Sequence, residues 1–103
     1  MKYLEIYEIK DFQNYCRNRC TKIVKEYDNE KLYYYRGLYK GYLYGINVCN
    51  HLIKINKKIS KRDLYFHFKE QNKKPLYTYD SRKGFTRGMT NAIYDMLNYI
   101  GSI

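Results

Sequence analysis

Cys16 and Cys20 stand one helical turn apart, and Cys49 and His51 lie two residues apart further along the chain. With His67 added, these are the residue types that hold a zinc ion in a tetrahedron of thiolate and imidazole ligands. Their placement argues against such a site. Cys16 and Cys20 fall inside an apolar stripe, where free cysteine behaves as a small hydrophobe. On an ideal helix Cys49 and His51 point about 200° apart. No metal and no cofactor are expected. Asp63 and His67 share a helix face in the manner of an acid–base pair, but nothing completes a reaction centre around them. The chain has no glycine-rich phosphate loop and no nucleophile elbow, and no third group orients Cys49 beside His51. A non-enzymatic protein is expected.

The stronger chemical signal is charge. In 103 residues there are 20 Lys and Arg against 10 Asp and Glu, a formal net charge of +10. Charge this far from zero opposes compaction by self-repulsion, so it points to a partner of opposite sign. Nucleic acid is the commonest such partner, followed by acidic protein surfaces and anionic lipid. Lys54, Lys57, Lys58, Lys61 and Arg62 form the densest cluster; Arg82, Lys83 and Arg87 form a second, and Arg36 with Lys40 a third. Such cations neutralise backbone phosphates and release counterions without reading sequence.

Tyrosine is the second anomaly, at 15 residues with no Trp. AT-rich codons, shared by Lys, Asn, Ile and Tyr, account for part of that excess. Tyr33, Tyr44 or Tyr65, where exposed, can stack on an unpaired base. The expected nucleic-acid-binding set is therefore Arg36, Lys40, Tyr44, Lys54, Lys57, Lys58, Lys61, Arg62, Arg82, Lys83 and Arg87. No zinc finger, RNP-like aromatic signature or recognition-helix pattern accompanies it.

The elements that must carry these residues are helices. Ile9, Phe12, Cys16, Cys20, Ile23 and Tyr27 recur at three- and four-residue steps and paint one apolar stripe. Asp28 and Asn29 break the pattern. A second helix is expected from about residue 30 to 55, with Leu32, Tyr35, Tyr39, Tyr42, Ile46, Cys49 and Ile53 facing the core. Ser60 with Asp63 offers a capping-box-like start for a short third helix to about Gln71. Pro75 implies a turn or extended segment over 74–79. Asp80 or Ser81 can cap a last helix that reaches Ile100 and stops at Gly101. Residues 3–9 read as strand or helix; as a strand they would pair with 76–79. The expected fold is mainly α, a compact single-domain bundle of about four helices over 1–103 with room for that minor two-stranded β element.

Gly37, Gly41 and Gly45 repeat every four residues, and Gly84, Gly88 and Ala92 echo them in the last helix. Glycine in a helix interior costs up to about 1 kcal/mol relative to alanine, so a glycine ridge implies close approach of another backbone. These six positions are expected to pack helices against each other or across a homodimer interface.

Three cysteines, an odd number, do not make a disulfide framework. No apolar run approaches the roughly 18 residues of a membrane span, and Met1 to Lys10 lacks a signal-peptide core. A cytoplasmic protein without a membrane partner is expected. Two functions fit: a basic binding protein for nucleic acid or nucleoprotein, and a phage or mobile-element inhibitor that docks on a host protein or defence complex, such as a CRISPR effector.

Overall fold

The structure, a computed structural model, describes residues 2–73 and 84–103. Four α-helices follow in order: α1 (Ile6–Glu26), α2 (Leu32–Lys54), α3 (Lys61–Lys73) and α4 (Phe85–Gly101), with a 3-10 turn at Asn29–Lys31. Among the described residues no helix is long and apolar enough to cross a membrane.

Local chemistry sets the helix ends. Glu8 accepts the backbone N–H of Glu5 at 2.9 Å, fixing the first turn of α1. Ser60 Oγ accepts the N–H of Asp63 at 3.1 Å and opens α3. Between them α2 ends in a Schellman turn: Asn56 takes a left-handed φ of 51°, Asn56 N–H bonds to the Ile53 carbonyl and Lys57 N–H to that of Leu52. The start of the last helix at Asp80 or Ser81, and the strand expected over 76–79, lie outside the described residues. Residues 6–9 are helical, and the extended stretch before them pairs elsewhere. Tyr3 forms a single antiparallel bridge with Ser60, and Leu4 N–H donates to the Ile59 carbonyl at 2.8 Å.

α2 and α4 run parallel, because successive glycines of α2 meet successively later residues of α4. A Cβ on Gly41 would lie 2.5 Å from the Ala92 Cβ, and one on Gly45 would lie 2.5 Å from Met96 Sδ. From the other side, a Cβ on Gly88 would lie 2.7 Å from the amide nitrogen of Leu38. Gly37 is filled by the backbone of Phe85. The repeated grammar aligns Gly41 with Gly88, yet the packing sets Gly41 against Ala92, one turn further on. The two helices interlock with a stagger. Gly84 stands just before α4, at φ 101°, and serves the chain's entry into the helix. α4 covers the glycine ridge, so the ridge presents no face to a second copy.

This seam rotates α2 from its expected orientation. The buried line is Gly37, Gly41, Tyr42, Gly45, Cys49 and Leu52, whereas Tyr39, expected inside, is 37% exposed. Large residues lie beside the ridge because the neighbouring backbone occupies the space above it. On α1 the expected stripe is buried from Ile9 to Ile23, while Tyr27 is half out in solvent. α1 runs antiparallel to α2, with Gln13 Nε2 donating to the Ile46 carbonyl at 3.1 Å and to Asn50 Oδ1 at 2.6 Å. α3 packs antiparallel along α4, burying Leu64 and Phe68, and Phe68 meets Phe12 of α1 edge-on.

Candidate nucleic-acid interface

The Schellman turn and the Tyr3–Ser60 bridge decide where the densest cations stand. The turn points Lys57 and Lys58 off the end of α2, and the bridge brings Lys2 in beside them. Lys54 lies exposed in the last turn of α2 and Arg62 in the first turn of α3. Lys2 also shares a hollow with Arg62, Lys61 and Tyr65. One end of the bundle thus collects Lys2, Lys54, Lys57, Lys58 and Arg62. Among the described residues none of these cations has a carboxylate partner within 4.0 Å. The N-termini of α1 and α3 open here too, where Glu8 accepts the N–H of Glu5 and Ser60 that of Asp63.

Lys61 does something else. Its Nζ donates to the carbonyls of Gly101 at 2.8 Å and Ile103 at 3.0 Å, closing the C-terminal end of α4 with a favourable charge for the helix dipole. It is a structural cap. Arg36 and Lys40 are exposed but belong to the other half of α2; Arg36 is about 27 Å along the helix from Lys54 at 1.5 Å per residue. Arg36 lies over the ring of Tyr33. Arg87 is exposed in the first turn of α4, in a hollow shared with Tyr34 and Lys31. Arg82 and Lys83 lie outside the described residues. The expected set therefore divides between the two ends.

Tyr44 is half-buried rather than a surface platform. Its hydroxyl shares a 2.8 Å hydrogen bond with His67 Nε2, the two rings lie within 10° of parallel, and Phe68 meets Tyr44 edge-on. Burial pushes its phenol above the ordinary value. Phe66, passed over by the sequence reading, takes the exposed aromatic role. It is 43% exposed, with the Arg62 guanidinium 5.6 Å and the Lys69 ammonium 5.9 Å from its ring centroid. The sequence held a signal for it: in R-D-L-Y-F-H-F-K the cations stand four residues before and three after Phe66, on one helix face.

A second group missed from sequence joins α1, α2 and α4. Tyr15 donates to both oxygens of Asp95 at 2.8 Å, Tyr42 donates to Asp95 Oδ2, and Arg19 Nε lies 3.3 Å from the Tyr42 hydroxyl and 3.5 Å from Asp95 Oδ2. Burial, then the Asp95 hydrogen bond, pushes Tyr15 up to about 12 and raises Tyr42 further. Phenols held this way stay protonated at neutral pH and serve as struts. Asp95 is the single acid of α4, and that isolation was the available clue.

Cys16, Cys20 and Cys49 are buried, and burial is the main cause raising all three thiols, Cys49 to about 12. Among the described residues no group of three or more His, Cys, Asp and Glu is placed to hold a metal ion.

Comparison with known proteins adds nothing to this geometry. No family model, curated protein or solved structure matches the chain.

Proposed function

We propose that this chain is a non-enzymatic nucleic-acid-binding protein whose contact surface is the basic end centred on Lys57, Lys58 and Arg62. The supporting observation is convergence. Lys2, distant in sequence, meets the Lys54–Lys58 segment and Arg62 at one end, with no acidic partner among the described residues. Phe66, flanked by Arg62 and Lys69, continues the surface along α3 with a ring that can stack on a base.

Fluorescence anisotropy with labelled DNA and RNA tests this reading. Affinity is expected to fall steeply from low to moderate salt, since each neutralised phosphate releases counterions. Combined Lys57→Glu, Lys58→Glu and Arg62→Glu replacement should lower affinity at least about tenfold and flatten the salt slope. Lys61→Met, which alters the α4 cap, should leave that slope in place. If the purified protein binds neither DNA nor RNA at low salt, the reading is lost.

One observation favours the second reading, docking on a host protein or nucleoprotein. At the opposite end, Val24, Tyr39 and Leu43 line an apolar groove of about 420 Å³ with Arg36 and Lys40 at its rim. Val24 is 60% exposed and Leu43 38%. Leu43→Asp separates the two readings. On the docking reading it abolishes recovery of a stoichiometric partner from the natural host and leaves nucleic-acid affinity unchanged. Equal recovery by the variant would count against docking at this groove.

A further inference from the structure

α2 and α3 stand further apart than α2 and α4, because the side of α2 that faces α3 carries Tyr44, Val48 and Leu52 in place of glycine. The gap is a cleft of about 490 Å³, within the range of small-molecule sites. Its floor is aliphatic, from Val48 and Leu52 of α2, Ile59 of the link and Leu64 of α3. Its rim is polar and differs from side to side. Asn47 offers an amide that can both donate and accept, and His51 and Lys57 stand on the side nearest the basic end. The remaining wall is aromatic: Tyr44 and His67 lie nearly parallel and are locked edge to edge by their 2.8 Å hydrogen bond. Lys57 lines both this cleft and the hollow that holds Lys2 and Lys58, so the cleft opens onto the basic end.

We infer that this cleft takes one unpaired nucleotide of a strand lying along the basic end. The base would rest on the Val48–Leu64 floor against the Tyr44–His67 wall, with Asn47 at its hydrogen-bonding edge and the phosphate toward Lys57 and His51. The inference rests on the nucleic-acid reading above and sharpens it to single strands. A base inside a duplex is stacked and paired on every face this pocket would need, whereas an unpaired base can be turned out into it. An apolar floor with an amide, an imidazole and one lysine at the rim matches a nucleotide's own division into planar ring, polar edge and anionic group. It does not match a purely anionic ligand, for which the aliphatic floor would have no use.

Two probes test it: a fluorescein-labelled oligonucleotide as single strand and as hairpin duplex, and adenosine monophosphate at millimolar concentration followed by amide shifts in 15N spectra. The single strand is expected to bind about tenfold tighter than the duplex, the scale of one stacked base. Val48→Phe fills the cleft without touching a cation. It should remove that preference while leaving duplex affinity and salt slope unchanged. Asn47→Ala, at an exposed helical position that accepts alanine, should weaken single-strand binding alone and guards against a folding defect in the first variant. Shifts with the mononucleotide should centre on Asn47, Val48, His51 and Ile59. Equal affinity for strand and duplex, unaltered by either variant, overturns the cleft and leaves the basic-end reading standing. Mononucleotide shifts at the cleft in a protein that binds no strand overturn both, since the nucleotide would then belong to no strand on the basic end. Absence of both kinds of binding overturns both.

Discussion

Glycine plays opposite parts at two places on α4. At Gly88, in the seam with α2, a Cβ would press on the backbone of Tyr34 and Leu38; at Gly101, in the basic end, it would meet nothing within 4 Å. The seam is uncharged, and two backbones approach within it. The basic end is exposed, assembled from helix ends and a link, with hydrogen bonds such as Leu4 N–H to Ile59 and Lys61 to Gly101 and Ile103 joining its parts. Close packing and positive charge are thus placed in different parts of one small molecule. Charge can accumulate at the end because the seam and the α1–α2 contacts hold the bundle against its self-repulsion.

The largest effect expected on this contrast is from Gly88→Leu. Overpacking against backbone that cannot withdraw should cost about 3 kcal/mol or more, read as a collapse of Tm. An unchanged Tm would mean that the seam is not close-packed. Next comes Asp95→Ala, which leaves the hydroxyl of fully buried Tyr42 without its acceptor and should cost about 2 kcal/mol in urea unfolding. Nucleic-acid affinity should not change, because the strut lies away from the basic end.

Alkaline pH loads the same strut. Tyr15 is raised to about 12 when folded, from 10.0, and Tyr42 is raised as well. Their contribution is full below pH 10.0, where both states hold the protons. It declines between pH 10.0 and about 12, as the unfolded chain alone gives them up. Thermal melts across that range should show a falling Tm, and Tyr15→Phe should make the decline shallower. The smallest effect is from Gly101→Ala. With open space around the new methyl and better helix propensity, it should stabilise by about 0.5 kcal/mol, and a loss of stability there would blur the contrast with Gly88.

Much of this was legible from residue order. The three- and four-residue steps of α1, the Ser60 cap and the small-residue ridge are local statements about period and backbone, and local statements survive folding. What failed was the facing of α2. Tyr39 fits the apolar period as well as Tyr42 does, but hydropathy ranks glycine as nearly neutral and so misses that the smallest side chains mark the closest approach. The placement of the expected binding set was hidden in a parallel way. Lys61 and Arg62 are neighbours in sequence; α4 ends beside the first and leaves the second to solvent. Tyr44 was taken inward by His67, and Phe66 was left outside.

Sequence by itself determined that this is a basic, mainly helical chain with glycines demanding a close partner, because charge, period and backbone freedom belong to residues taken one at a time or a few together. Tertiary structure decided that the partner is the chain's own α4 and that the stagger is one turn off the repeat. It also decided that Lys2 joins Lys57, Lys58 and Arg62 at one end while Arg36 and Lys40 are carried to the other. Those outcomes depend on which distant surfaces fill each other's space, and steric fit between segments is not written in any short stretch of sequence.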